Sequence, residues 1–587
     1  MNLHFSIASI RSTALIAVLV LAAGAGVVPD TAHAAAAAGT VDLLATPPEL
    51  TSTVSPNLVL TFDDSGSMAR TYMGDFRPFY PPGTNTGWGT ANSSNPWLCA
   101  GAIDPRSTDP ADPRSLPMNG VYYNPNSIYN PPMYKDGVTS FPPSPWGAAW
   151  DDGIVVNRPS SPGTSTTRNL GSYSGFCGSK AGYYRLKAAT TLAFDPATGR
   201  LDATSLTKLY TSGNWEWVAL PTAEQQNFAN WYSYYRDRQN SAITSVSRAF
   251  APFDQNVRVA WQNINSNQIN NNTKIYKFVD DATTNNVRTN FYNWLFAIPA
   301  SGGTPNQAAA DRVGKFYQRA TGAADTNPYW DRDLNRELSC RQNFHIQMTD
   351  GLWNGSTVNT ATDDNDPTSR TLPDGRSYST SMAESKIMWN ELGPNARSMA
   401  DIAFHYWATD LRPDFTAQAS TRLKVPPYLP DKSLSLFGES PVAPNEDPRD
   451  KKEIYWNPAN DPASWSHMVN FMIGFGASGT ILQNDANYDR LRGGTIAWPA
   501  TVLGSDDDRK IDDMWHAAIN SRGQFFTASS PQELVTALTN IIASIIARKG
   551  SSTPATISIP LITDTTTAYK AGYDTSDWSG TLTRVAL

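Results

Sequence analysis

Cysteine is scarce in this chain. Cys99, Cys177 and Cys340 are the three present among 587 residues, too few for a disulfide-framework scaffold and enough for one bridge with a thiol left over. Sequence alone allows three pairings; Cys99 with Cys177 is favoured because both fall in one irregular region, which leaves over Cys340. Charge is also sparse, at 17% of residues with a net −7. No cluster of Lys and Arg offers a basic footprint, which excludes nucleic acid as a partner. Catalytic signatures are missing too. There is no G-x-S-x-G and no H-E-x-x-H, and neither Ser65 nor Ser67 has a histidine base near it in sequence, so a secreted hydrolase is the least favoured reading and the expectation is not an enzyme. Beyond residue 28 no run is long and apolar enough to span a membrane.

What is abundant is proline (42), glycine (39) and aromatic side chains (11%). Surface polarity then rests on Ser, Thr, Asn and Tyr, a flavour common outside the cell. Arg11 precedes an apolar run over 14–28, and Thr31-Ala32-His33-Ala34 supplies small residues for cleavage after Ala34. Residues 1–34 therefore read as a secretory signal peptide, and 35–56 as a linker. The length suggests two to four structural units, fewer if loops are long.

Strand and helix patterns alternate along the rest. An apolar strand over 58–62 is followed by a Pro-, Gly-, Asn- and Tyr-dense insertion over about 71–221. Phe228, Trp231, Tyr235, Ala242, Ile243, Val246 and Phe250 recur at helical spacing, and a strand follows over 257–259. Thr304 and Pro305 open a helix, with threonine as cap and proline at the first position. The stretch NFHIQMT over 343–349 alternates like a half-buried strand and ends at Asp350-Gly351. An amphipathic helix covers 398–411, a second insertion 413–461, and Val469, Phe471, Ile473 and Phe475 mark another strand. The last helix has Ser530 as cap, Pro531, Glu533 completing a capping box, an apolar face of Leu534, Leu538, Ile542 and Ile545, and Lys549-Gly550 at its end. The expected fold is α/β, a doubly wound and mostly parallel sheet over 57–549 with large loop-rich insertions. Short Thr- and Ile-rich β segments over 550–587 read as the start of an incomplete β domain.

Ligands of open parallel sheets bind at the carboxyl ends of strands. That places Asp63, Ser65, Ser67, Thr304 and Asp350 as one candidate site, all oxygen donors. In D-x-S-x-S on an extended loop, alternate side chains face one way, so one carboxylate and two hydroxyls can address one ion. The set suits a hard divalent cation, Mg²⁺ first and Mn²⁺ or Ca²⁺ as variants. Neutral hydroxyls leave much of the ion's charge uncompensated, ready for a carboxylate of another molecule. Read alone, the loop is equally a solvated turn with Ser67 as a helix cap. Asp363, Asp364, Asn365 and Asp366, and Asp506 to Asp508, lack EF-hand spacing and read as solvated acidic loops; His467 and His516 read as structural histidines.

The ordered set of D-x-S-x-S, Gly302-Gly303-Thr304-Pro305 and Thr349-Asp350-Gly351 resembles the metal-ion-dependent adhesion site of von Willebrand factor A domains. That resemblance implies a Rossmann-like sheet, with Ser65, Ser67 and Thr304 as inner ligands and the aspartates often acting through water. The departure is the distance from Ser67 to Thr304, which the insertion must absorb. YYNPN, CRQNFHIQMTDGLWN, SMADIAFHYWATDLRP, WSHMVNFMIGFGASGTI, IDDMWHAAINSRGQFF and SDWSGTLTRVAL are similar to the PilY family of type IV pilus tip-associated adhesins. In that family the A domain precedes a C-terminal β-propeller, which the segments after Gly550 resemble at its entry. The resemblance implies export through the periplasm to the pilus tip or cell surface. It also implies partners among minor pilins or other tip proteins, and a surface ligand with an acidic group. A structural plug or priming subunit at the tip, with the metal loop only stabilising it, is the competing reading.

Overall fold

A computed structural model describes residues 54–586 except 72, 74–118, 174–179, 195–201, 210–213, 267, 270–273, 282–283, 320–325, 356–357, 359–363, 367, 394–396, 417–423, 445, 501–506, 549–566 and 575–578. Cys99, Cys177, the signal segment and most of the linker lie outside the described residues. Central strands of a parallel sheet are covered on both faces and so read as continuous apolar runs. The strands β1 (Asn57–Phe62, NLVLTF) and β5 (Met468–Phe475, MVNFMIGF) follow that rule and are buried at every position. Between them lies β4 (Asn343–Thr349), which is also buried throughout. Its alternation therefore does not mark a half-buried strand, because its polar residues face protein and not water. One of them, His345, belongs to a chain of side chains crossing the sheet, and Gln347 Nε2 donates to Asn306 O at 3.1 Å. Gln262 on β2 (Arg258–Asn263) donates to the Thr61 hydroxyl at 2.8 Å. Thr61 meets His345 Nε2 at 2.7 Å, and His345 Nδ1 meets Asn470 Oδ1 at 2.8 Å.

Six strands form the sheet in the order β3–β2–β1–β4–β5–β6, with β3 at Tyr276–Lys277 and β6 at Phe525–Ala528. All neighbours pair in parallel except β3, which runs antiparallel to β2. Register sets Phe62 opposite both Met348 and Asn263. Chain order reverses between β1 and β4, and the carboxyl ends at such a reversal are where open α/β sheets bind ligands.

Two helical layers cover the faces. On one face Leu58, Leu60, Phe62, Phe344, Ile346 and Phe471 pack with α1 (Gln225–Tyr234), α2 (Arg238–Phe250), α3 (Val287–Leu295) and α7 (Pro531–Ala547). On the other, Val59, Ala260, Met468 and Met472 pack with α4 (Asn306–Tyr317), α5 (Met399–Ala408) and α6 (Arg509–Asn520). The helical pattern over 228–250 is two helices and not one. The break falls at 235–237, where the Asp237 carboxylate accepts from Asn240 N at 2.7 Å and caps α2. Of the first insertion, the described part adds its aromatics to the first face, with Tyr122 against Trp231 and Tyr123 against Phe228, both at 4.9 Å between ring centres. Beyond α7, Thr567–Asp574 and Ser579–Ala586 pair as an antiparallel hairpin. No helix among the described residues is long and apolar enough to cross a membrane.

Candidate functional site

The carboxyl ends of β1 and β4 deliver Asp63 and Asp350 side by side. Asp63 Oδ1 accepts from Ser65 N at 2.8 Å, while Oδ2 accepts from the Thr349 hydroxyl at 2.6 Å and from Asp350 N at 3.1 Å. The Ser65 and Ser67 hydroxyls touch at 2.8 Å, and Ser67 donates to Asp350 Oδ1 at 2.9 Å. Asp63, Ser65, Ser67 and Asp350 are thus one hydrogen-bonded cluster, assembled across 283 residues of sequence. Ser67 is not a helix cap: it lies inside a single 3₁₀ turn over Gly66–Ala69.

The second loop reaches this cluster through backbone. Gly66 N donates to Gly302 O at 3.1 Å, and Ser301 N to Asp64 O at 2.6 Å. Gly302 has φ +104°, and a Cβ there would stand 3.0 Å from the Asn265 carboxamide, so the close approach of the two loops needs glycine. Thr304 is buried beside them without capping a helix. Pro305 occupies the N-cap of α4 and supplies no side-chain cap. Instead Thr304 N donates to Asn354 Oδ1 at 2.9 Å, and its carbonyl accepts from Asn306 N and Asn354 N. The threonine is thus held both by the loop that follows β4 and by the first residue of α4.

Arg238 and Asp64 complete the site, and local sequence gives no signal for the first. Arg238, at the start of α2, is fully buried and places Nη1 2.8 Å from Asp350 Oδ2. Its backbone N donates to Arg70 O, tying the exit of the metal-type loop to the same helix. Asp64, the second aspartate of the DDS run, accepts from Asn263 Nδ2 at 3.0 Å and Asn265 Nδ2 at 2.8 Å, bracing β1 against β2. With two carboxylates adjacent and away from water, burial first and then the charge of Asp350 push Asp63 up to about 7, against hydrogen bonds from Thr349 and Ser65.

The donor set fits a hard cation. Neighbouring oxygens around an ion coordinated at 2.0–2.1 Å stand roughly 2.9 Å apart, and the Ser65–Ser67 and Ser67–Asp350 separations are 2.8 and 2.9 Å. No sulfur or imidazole approaches the cluster among these contacts. Elsewhere, Asp364, Glu391 and His516 form a buried group whose ligand atoms lie within 4.8 Å of one another, an arrangement that could hold a metal ion. Asp364 is therefore not in a solvated setting: it is fully buried, and Asn520 of α6 donates to its carboxylate. His467 is a structural histidine, with its ring nitrogens on Trp465 O at 2.8 Å and Asp461 Oδ2 at 2.9 Å.

A mostly parallel α/β unit with an oxygen-rich crevice at the point where strand order reverses is the class that these elements define. Comparison with known proteins carries this further. No protein-family model matches the chain. The chain is 34% identical over 578 residues to the type IV pilus biogenesis factor PilY1 of Pseudomonas aeruginosa strain UCBPP-PA14, covering 91% of this chain and 42% of that protein. It is 31% identical over 598 residues to PilY1 of strain PAK, covering 95% of this chain and 44% of the relative. The chain belongs to the PilY family, and it spans less than half the length of these relatives. Among solved structures, the pilus adhesin SpaC of Lactobacillus rhamnosus GG aligns at 13% identity over 53% of this chain and 28% of that one, with a TM-score of 0.23, too low to bear on the fold.

Proposed function

We propose that this chain is an exported type IV pilus biogenesis factor and adhesin whose α/β unit is a von Willebrand factor A-type domain with a metal-ion-dependent adhesion site. The observation that carries this reading is the convergence of Asp63, Ser65, Ser67 and Asp350 at the reversal of strand order, with hydroxyl and carboxylate oxygens at ion-ligand spacing. In this reading Ser65, Ser67 and Thr304 hold Mg²⁺, or Mn²⁺ or Ca²⁺, while Asp63 and Asp350 bind it through water. The ion supplies an electrophilic point for an acidic side chain of a minor pilin, another tip protein or a surface ligand. The domain organisation proposed with it is a leader over 1–34, the A-type domain over 57–549 and the start of a β domain after 550. The family membership supports a place in pilus biogenesis; the relatives are named for that role.

The test is the pair Asp63→Ala and Ser65→Ala in cells, with surface attachment and pilus number counted side by side. Attachment lost with pili retained is the expected result. Unchanged attachment sinks metal capture, and loss of pili together with attachment supports the structural plug.

A further inference from the structure

Behind the second helical layer, five groups meet under the ring of Trp498. His516 and Asn520 lie one turn apart on α6 and so point to one side. The Trp498 ring stacks on the imidazole at 4.6 Å and 17°, fixing its plane. His516 Nδ1 stands 3.0 Å from Glu391 Oε1. Its Nε2 stands 2.9 Å from the Met388 carbonyl oxygen and 3.5 Å from Asp364 Oδ2. The Asn520 carboxamide joins them from the same helix, with its nitrogen on that Asp364 oxygen and 3.3 Å from that carbonyl.

A ring nitrogen, a carboxylate oxygen, a backbone carbonyl and a carboxamide therefore crowd around one point. Ligands that share an ion at about 2.1 Å are separated by roughly 3.0 Å in an octahedron and 3.4 Å in a tetrahedron; three of the pairs here stand at 2.9, 3.3 and 3.5 Å, while Asn520 and Asp364 lie closer and would have to part to admit an ion. An independent observation points the same way. Asn520 is fully buried, yet among the described residues its Oδ1 has no hydrogen-bond partner. A half-turn of the carboxamide puts that oxygen where the nitrogen now stands, the orientation that a cation would select.

We propose that Asp364, the Met388 carbonyl, His516 and Asn520 form a second, structural cation site for a divalent first-row ion such as Zn²⁺ or Mn²⁺, with Glu391 orienting His516. His516 Nε2 is the nitrogen ligand, and Nδ1–H donates to Glu391, the carboxylate–histidine–metal relay that fixes ring tautomer and plane. One nitrogen among oxygens sets this site apart from the all-oxygen crevice at Asp63 and shifts its preference from Mg²⁺ towards borderline ions. Its ligands come from the segment after β4, from the short helix Lys386–Trp389 and from α6. A bound ion would pin the chain that leaves Asp350 to the helix covering the sheet.

The rival is a His516 merely hydrogen-bonded in the interior to Glu391 and the Met388 carbonyl. The test uses the full chain, stripped with chelator and reloaded with Zn²⁺ or Mn²⁺ in excess Mg²⁺, which keeps the crevice at Asp63 occupied. Metal content after desalting is read by elemental analysis and melting temperature by calorimetry. The expected result is one retained first-row ion per chain and a rise of a few degrees, both preserved in Ser65→Ala. Affinity should fall 10- to 100-fold in Glu391→Gln, which touches the ion only through His516, and retention should be lost in His516→Gln. No retention in the wild type overturns the proposal, as does equal retention in Glu391→Gln and the wild type. Because the wild-type stoichiometry decides by itself, a His516→Gln chain that fails to fold does not spare it.

Discussion

Asp350 carries two claims at once, a hydroxyl of the candidate metal loop on one oxygen and the Arg238 guanidinium on the other. Arg238 is a built-in monovalent competitor for the charge that a divalent ion needs. Arg238→Gln should therefore bind Mn²⁺ several-fold more tightly by titration calorimetry, while in chelator it loses about 3 kcal/mol in denaturant unfolding, because Asp350 is left buried and unpaired. A second residue-scale expectation concerns His345. Burial holds it down at about 4, below its ordinary 6.5. Between those values the unfolded chain binds the extra proton, so stability is fully present above pH 6.5 and falls as pH drops towards 4, by about 3 kcal/mol from this group. Asp513, raised by burial to about 7, works in the opposite sense, losing stability as pH rises from about 4 towards 7. The clean readout is thus the difference between the wild type and His345→Gln, whose unfolding midpoint should depend less on acid over that range.

At the scale of elements, α5 begins with a reciprocal capping box: Ser398 Oγ accepts from Asp401 N at 3.0 Å, and the Asp401 carboxylate accepts from Ser398 N at 2.8 Å. Asp401 also takes the backbone N of Asp364 at 3.2 Å, so this cap braces the cluster around His516. Ser398→Ala should cost about 1–2 kcal/mol by denaturant unfolding. The loop carrying Gly302 makes a different demand. Gly302→Ala meets both a positive φ and Asn265, and should displace the loop bearing Thr304, weakening Mn²⁺ binding more than it lowers melting temperature. Element positions were largely legible beforehand, since β1 and β5 are apolar runs and α7 has Ser530 and Pro531 at its start. Two details were not. The Glu533 carboxylate takes Ser529 N and Oγ, one residue further out than the capping box expected at Ser530, and Thr304 is not a cap at all. Both depend on where the preceding loop is held by distant contacts.

For the molecule as a whole, a ligand that binds only the folded state raises stability with its concentration, by roughly 2.7 kcal/mol at a hundred times its dissociation constant. Mg²⁺ should accordingly raise the melting temperature of the wild type and leave Asp63→Ala unmoved. A wild-type temperature indifferent to Mg²⁺ and to EDTA would mean that the crevice holds no ion. The described part of the first insertion is no loose appendage in this balance. Its tyrosines share a core with α1, and its aromatic richness is spent largely on burial and not on an exposed recognition face.

The sequence by itself determined the α/β alternation, the strand ends that present Asp63 and Asp350, and the oxygen character of the crevice, because periodicity and residue chemistry are local properties. Tertiary structure alone decided which distant groups became neighbours. Arg238 reaches Asp350 across 112 residues, the Gln262–Thr61–His345–Asn470 chain runs across strands, and Asp364 meets His516 inside the protein. No window of sequence contains those pairs, and the burial that gives them their electrostatic strength exists only once the sheet and its two helical layers have closed over them.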